Sequence, residues 1–135
     1  MIHLDTSVLI DALTGGRRSA RELRRVVETG ERIAISSLAL YEWLRGPRVE
    51  AELADQEELL PSDQAVPFGP REAARAAKLY RSVARARGRE LDLCVAACAL
   101  VHAASLWTLN PGDFRDIPGL VLQGAASRRL ATGRR

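Results

Sequence analysis

The sequence predicts an α/β fold in which a short, mostly parallel central sheet is flanked by helices on both faces. Short apolar runs alternate with helical segments, and the first run, Ile2 to Asp5, leads directly into a helix. The most apolar segment, Leu91 to Ala104, has the length of a buried helix rather than of a strand. This alternation is typical of a parallel sheet between two layers of helices.

The first half of the chain twice repeats a strand followed by a helix. The predicted elements are a strand over Ile2 to Asp5, a helix over Val8 to Leu13, an amphipathic helix around Ala20 to Val27, a strand over Arg32 to Ile35 and a helix from Ser37 to Gly46. Gly15 and Gly30 follow the first two helices, where glycine favours a helix end. Ser36 and Ser37 are placed to cap the third helix.

The second half of the chain continues the alternation. It predicts a polar helix over Arg48 to Leu60, a short strand over Ala65 to Phe68, a long helix from Pro70 to near Gly88, the buried helix Leu91 to Ala104, and strands over Ser105 to Thr108 and Leu120 to Gln123. Pro70 suits the first turn of a helix. The helical spacing in the long helix predicts a buried face made of Ala73, Ala76, Ala77 and Tyr80.

Length and composition predict one domain. The 135 residues are 47% apolar and 27% charged, enough for one packed core, and no linker interrupts residues 1 to 123. Residues 124 to 135 read GAASRRLATGRR and predict a basic, flexible tail. No apolar run approaches the roughly 20 residues that cross a bilayer, and the start lacks the pattern of a signal peptide. We therefore expect a cytoplasmic protein with no membrane partner.

Charge and cysteine content narrow the function classes only a little. The two cysteines, Cys94 and Cys98, are too few for a disulfide framework, so reduced thiols are expected. The net charge is +3, and every basic residue except Lys78 is arginine. Arginine suits phosphate oxygens, so the composition permits a polyanionic partner without establishing one.

Four acidic residues occur where a parallel sheet places a functional site, which is the carboxyl edge of its strands. Asp5 ends the first strand, Glu42 lies in the helix after the second strand, Asp92 begins the apolar helix, and Asp113 follows the strand over Ser105 to Thr108. Each has an ordinary alternative: Asp5 and Asp92 as helix caps, Glu42 on a solvated helix face, and Asp113 as a turn residue. Asp92 fits this alternative least, because an unpaired carboxylate entering an apolar core is costly.

Clustered carboxylates predict a divalent cation, since without one they repel each other and take up protons. Ligands that are all oxygen select Mg²⁺ or Mn²⁺, and Mg²⁺ commonly binds one or two carboxylates together with a substrate phosphate. The reaction expected of such a pocket is phosphodiester hydrolysis by metal-activated water.

Five blocks of sequence also match a known pattern in order and spacing. They are MIHLDTSVLID from Met1, SLALYEWLRG from Ser37, Arg87 and Gly88 with DLCVAACAL from Asp92, TLNPGDF from Thr108, and IPGL from Ile117. Over residues 1 to about 123 they resemble a PIN domain and, more narrowly, the VapC toxins of bacterial VapBC toxin–antitoxin pairs.

The resemblance implies a Mg²⁺- or Mn²⁺-dependent endoribonuclease that uses metal-activated water and forms no covalent intermediate. Asp5 and Asp92 fall on the family's principal metal-binding acids, and Glu42 and Asp113 on the acids of the second and fourth blocks. The polar side chains that would support the pocket are Thr6 or Ser7, and Asn110. The resemblance also implies a homodimer, an RNA substrate, and a VapB-like antitoxin that holds the toxin inactive and reaches the acids.

Alternatives remain at the level of residues and of function. Asp116 competes with Asp113 for the fourth acid, and Asp113 is preferred because it directly precedes Phe114. A phosphorylation-controlled receiver domain would gather acids at the same edge, but it needs a lysine near the last strands, and Lys78 lies in the long helix. The main alternative is a catalytically silent PIN-like domain that binds RNA or a protein.

Overall fold

Three short parallel strands form the centre of the computed structural model, which describes residues 1–124. They are β1 (Ile2–Leu4), β2 (Ile33–Ala34) and β3 (Ser105–Trp107), in the order β2-β1-β3. Both strand pairings are parallel, so the predicted α/β class with a short parallel sheet is confirmed. Apart from Gly124, the basic tail expected over residues 124 to 135 lies outside the described residues.

Six helices surround this sheet in the described part of the chain. They are α1 (Thr6–Leu13), α2 (Ala20–Glu28), α3 (Ser37–Arg45), α4 (Glu50–Leu59), α5 (Pro70–Ser82) and α6 (Glu90–Val101). The predicted cap of α3 is present, since the Ser36 hydroxyl accepts a hydrogen bond from the Ala39 amide at 3.1 Å. Within residues 1–124, no helix has both the length and the apolar character that crossing a membrane requires.

The helices lie in two layers because successive side chains of a strand point to opposite faces of the sheet. In β1, Ile2 and Leu4 pack into a core with α1, α2, α3 and α4. In β3, Trp107 joins this first core, whereas Leu106 joins a second core built with α5 and α6. The predicted three-layer α/β/α arrangement is therefore confirmed.

Two of the expected strands are reduced to single bridges. Within Ala65 to Phe68 only Val66 pairs, with Ser36, and within Leu120 to Gln123 only Leu122 pairs, with Leu106. The first bridge does not extend because α3 begins at Ser37, so the Phe68 amide, the next donor on this side, donates to the Ser37 hydroxyl at 3.2 Å instead of to a strand carbonyl. The second ends where Gly124 turns the chain with a φ of +84°.

Helix α5 differs from its prediction in both its length and its buried face. It ends at Ser82 rather than near Gly88, because Val83 adopts an extended backbone and Arg85 a positive φ of +56°. Its buried residues are Glu72, Ala76 and Leu79, whereas the predicted Ala73, Ala77 and Tyr80 are exposed. Glu72 is drawn inside since its carboxylate accepts the Gly69 amide at 3.0 Å and lies 3.0 Å from His102 Nε2.

A buried histidine lies at the middle of the central strand. His3 is 1% exposed, and neither of its ring nitrogens has a hydrogen-bond partner among the described residues. Its ring centroid lies 5.9 Å from that of His102. Burial, followed by the charges of His102 and the N-terminus, lowers the pKa of His3 to about 4. His3 is therefore a neutral side chain inside the core at neutral pH.

The substitution Leu106→Ala tests the packing of β3 against the second core. Leu106 is fully buried, so truncation leaves a cavity and should lower the free energy of unfolding by about 3 kcal/mol. Urea denaturation followed by circular dichroism measures this. Val121→Ala is the control, since Val121 is 65% exposed and its truncation should change stability by less than about 0.5 kcal/mol. Equal effects of the two substitutions would contradict this packing.

Candidate active site

The register of the sheet places Asp5 beside the end of β3. Leu4 pairs with Trp107, so the residues that follow each strand meet at the same edge. The Asp5 amide donates to the Trp107 carbonyl at 2.9 Å, and the Thr108 hydroxyl donates to Asp5 Oδ2 at 2.8 Å. Asp5 is 7% exposed, so its carboxylate faces this junction rather than solvent.

Two hydroxyl groups hold the Asp5 carboxylate, and the backbone after β3 orients both of them. Ser7 Oγ accepts the Leu109 amide at 3.0 Å and donates to Asp5 Oδ2 at 2.9 Å. Thr108 Oγ1 accepts the Asn110 amide at 3.0 Å. Because each hydroxyl receives a backbone proton, its own proton is directed towards Asp5. Asp5 occupies the N-cap position of α1, but its side chain makes no capping hydrogen bond, so the alternative reading as a cap does not describe it.

Glu42 faces the same pocket from α3. The Thr6 hydroxyl donates to Glu42 Oε1 at 3.0 Å, and Arg45 lies 3.7 Å from the other oxygen. Only 20% of the Glu42 side chain is exposed, so it does not lie on a solvated helix face. Burial raises the pKa of Glu42, and the charge of Asp5 raises it further, against the effects of Thr6 and Arg45.

Asp92 has the most strongly shifted pKa of the four predicted acids. It is in the first turn of α6, half buried, and no side chain of residues 1–124 donates a hydrogen bond to it. Burial is the largest cause that raises its pKa to about 6, followed by the charges of Asp5, Asp113 and Glu42, while Arg89 opposes them. The charges of the other three predicted acids therefore all reach Asp92 at this edge of the sheet.

Arg89 fixes the loop that carries the fourth acid. Its guanidinium donates to both Asp116 carboxylate oxygens, at 2.6 and 2.9 Å, and also to the backbone carbonyls of Asp113 and Ala84, both at 3.0 Å. This bidentate pair lowers the pKa of Asp116. Asp116 is thus occupied by arginine, whereas the exposed Asp113 side chain has no such partner in the described chain and contributes its charge to the pocket.

The predicted supporting residues have distinct positions. Thr6 contacts Glu42, Ser7 contacts Asp5, and Asn110 contributes its backbone amide to Thr108 while its side chain is exposed. Sequence reasoning assigned no role to Thr108 or Arg89. Thr108 had a usable signal, because it directly follows β3 as Asp5 directly follows β1. Arg89 had none, because nothing in the sequence distinguishes it from its many neighbouring arginines.

The donor set suits a divalent cation that prefers oxygen ligands. Burial raises the pKa of Asp92, the charges of Asp5, Asp113 and Glu42 raise it further, and no positive side chain pairs directly with Asp92 in residues 1–124. As they stand, no three His, Cys, Asp or Glu side chains in that range are grouped closely enough to hold a metal ion. A bound cation would have to draw these carboxylates closer together.

Comparison with known proteins agrees with this architecture. The sequence model of the PIN-domain family matches residues 2–120, which is nearly the whole described chain. The chain belongs to the PIN-domain family. It is 35% identical over 125 residues to Ribonuclease VapC19 of Mycobacterium tuberculosis, a match that covers 87% of this chain and 94% of that protein.

Solved structures share the same PIN fold. VapBC2 from Rickettsia felis, bound to a promoter DNA fragment, aligns with a TM-score of 0.68 at 21% identity, over 91% of this chain and 98% of that chain. DNA-bound VapBC from Salmonella typhimurium aligns with a TM-score of 0.68 at 24% identity, over 90% and 96%. At these identities the likeness supports the fold.

The raised pKa of Asp92 predicts a pH-dependent gain in stability for Asp92→Asn in the metal-free PIN domain. The folded protein holds this proton up to about pH 6, whereas the unfolded chain loses it near pH 3.8, so the ionised carboxylate destabilises the fold above pH 6. We expect Asn to stabilise the protein by roughly 1 kcal/mol at pH 7.5, after allowance for solvent screening, and the gain to vanish near pH 3.5.

Thermal unfolding with EDTA at the two pH values measures this difference. Asp63→Asn is the control, because Asp63 is an exposed acid outside the pocket. A gain that is the same at both pH values would show that burial and repulsion of the Asp92 charge are not its cause.

The contacts of Arg89 predict that Arg89→Gln frees the loop over residues 110–117. The substitution removes the ion pair with Asp116 and the two hydrogen bonds to backbone carbonyls. Amide hydrogen exchange in this loop should accelerate roughly tenfold, as expected when hydrogen bonds to a charged group are lost. Mass spectrometry of the peptide measures it. Arg115 is an exposed arginine of the same loop, so Arg115→Gln should leave exchange unchanged. Equal exchange rates in the two variants would show that Arg89 does not hold this loop in place.

Proposed function

We propose that this PIN domain is the toxin of a type II toxin–antitoxin system and is an endoribonuclease. It hydrolyses RNA phosphodiester bonds with Mg²⁺ or Mn²⁺ in the pocket of Asp5, Glu42, Asp92 and Asp113. The observation that carries the proposal is the position of these acids at one sheet edge, where burial and then the charges of the other three raise the pKa of Asp92. A pocket with this excess of negative charge suits a cation and, through it, a phosphate.

Similarity to named proteins supports the activity and the pairing with an antitoxin. The relative with 35% identity is named a ribonuclease, and the two aligned structures are named as VapBC complexes. The PIN-domain match spans residues 2–120, which include the positions of all four acids. A VapB-like antitoxin is accordingly the proposed inhibitory partner.

The chain's own residues would present a shaped set of oxygen ligands. Ser7 and Thr108 keep Asp5 in one orientation, and Thr6 does the same for Glu42. Arg89 keeps the loop of Asp113 against the start of α6, close to Asp92. When bound, the cation supplies a water molecule of lowered pKa and positive charge opposite the phosphate oxygens. The hydrogen-bonded carboxylates would hold the cation in position, and because water is the nucleophile, no nucleophilic side chain is required.

Surface properties support the remaining partners. The chain has a net charge of +3 and is rich in arginine, a side chain that suits the phosphates of RNA. Tyr41, Leu44 and Val49 are 55%, 50% and 62% exposed, and such apolar exposure supports a protein interface, including the proposed homodimer. Cys94 and Cys98 are free thiols, which fits the proposed cytoplasmic location.

The test is RNA cleavage by the wild type, Asp5→Asn and Asp92→Asn in a host that lacks the antitoxin. The wild type should arrest growth and create discrete new RNA ends, and both variants should lose at least about 100-fold of the cleavage rate, because the cation loses a principal ligand. Sequencing of RNA ends and growth curves are the readouts, and Asp63→Asn should behave as the wild type.

The results also distinguish the silent binding domain. Such a domain would bind RNA or a protein equally well in all four proteins and produce no new RNA ends. Isothermal titration of Mn²⁺ adds an independent readout, since both pocket variants should weaken its binding and Asp63→Asn should not. Arrest by the wild type and the pocket variants alike would refute the assignment of these acids.

A further inference from the structure

A second concave site adjoins the acidic pocket. A cavity of about 660 Å³ lies between one face of α1 and the loop after β3, a size common in small-ligand sites. Ser7 belongs to both sites, since it lines the cavity and its hydroxyl donates to Asp5. The cavity therefore begins one hydrogen bond away from the proposed metal ligand.

Two of the side chains that line this cavity are apolar although they face solvent. Ile10 from α1 is 37% exposed and Leu109 from the loop after β3 is 44% exposed. Gly15 and Gly16 also line the cavity, and a Cβ atom placed on Gly15 would meet no atom within 4 Å. Two apolar side chains from separate segments, with open space beside them, suit a flat ring.

Five of the nine residues that line the cavity have polar side chains, and the two hydroxyl groups among them are already engaged, since Ser7 donates to Asp5 and Thr14 donates to the Ile10 carbonyl. The Asn110 side chain makes no hydrogen bond within residues 1–124, so its amide offers both an acceptor and donors. The Asp11 carboxylate is already taken by Ser19 at 2.6 Å and Arg18 at 3.3 Å, so its charge is balanced. The Arg18 side chain is 87% exposed, where a phosphate is within its reach.

We infer that this cavity binds the base of the nucleotide next to the scissile phosphate and thereby sets the sequence that is cleaved. The inference rests on the proposed ribonuclease function, because a phosphate at the acids would bring the adjoining nucleotide to Ser7. Unstacked bases of single-stranded RNA are read by contact with side chains on their faces and by hydrogen bonds on their edges. Ile10 and Leu109 supply the former contacts, and Asn110 supplies the latter.

Binding is tested first, without metal, so that it is independent of cleavage. The four nucleoside 5′-monophosphates are added to the ¹⁵N-labelled full chain in EDTA, with ribose 5-phosphate as the control that lacks a base. At least one nucleotide should shift the amide signals of Gly15, Gly16, Leu109 and Asn110, and the control should not. Shifts that are equal for ribose 5-phosphate, or absent for every nucleotide, overturn the inference.

Specificity is tested second, with a randomised single-stranded RNA library and mapping of the cut ends in Mg²⁺. Leu109→Ala and Asn110→Ala should lower kcat/KM on the preferred sequence about tenfold and reduce the base preference next to the cut, as expected for one lost base contact. Val27→Ala is the matched control, because Val27 is an apolar residue of α2 that is 42% exposed, close to the 44% of Leu109, and does not line the cavity.

The outcomes separate this inference from the proposed function. If the wild type cleaves with a base preference that both variants keep, the cavity assignment is wrong and the ribonuclease stands. If the nucleotides bind at the cavity but the wild type cuts no member of the library, the base site stands and the proposed function fails. If Val27→Ala relaxes the preference as strongly as Leu109→Ala, the effect does not come from this cavity.

Discussion

The parallel register of β1 against β3 is the constraint on which the site depends. Because Leu4 is paired with Trp107, the chain leaves both strands at the same level, and Asp5 meets Thr108 without any long loop. A slip by one residue would turn every side chain of the strand to the other face, which would place Ile2 and Leu4 against the wrong core. The hydrophobic pattern that orders the two cores therefore also fixes the chemistry at their edge.

Charge and hydrogen bonding divide the acids into fixed and unfixed members. Hydrogen bonds to a charged group contribute about 1.5–3 kcal/mol each, and Asp5 receives two from hydroxyls while Glu42 receives one. Asp92 receives no hydrogen bond from a described side chain and is half buried near the other three acids. Burial and their charges therefore destabilise its ionised form and raise its pKa. Strongly shifted pKa values of this kind cluster at functional sites.

The order of the main elements and the positions of the four acids at strand ends and helix starts could be predicted, because strand ends and apolar periodicity are local signals. The end of α5 could not be predicted, since alanine and arginine continue to favour a helix beyond Ser82, whereas Val83 adopts an extended backbone. The helical spacing also misjudged the buried face of α5, because Glu72 looks like a solvent residue until Gly69 and His102 are brought to it. The role of Arg89 depends on a contact with Asp116 across 27 positions, which no local pattern encodes.

His3 makes the central strand less stable than its packing would allow. The nitrogens of this buried imidazole have no partner among residues 1–124, which costs the fold roughly 1–3 kcal/mol of desolvation, and the neutral ring forms no ion pair at pH 7. An apolar residue of similar volume at this position would keep the contacts and remove the cost. A substitution meant to raise thermal stability would therefore be made first at His3, on the face of the sheet opposite Ile2 and Leu4. It would leave the acids that follow the strand unchanged.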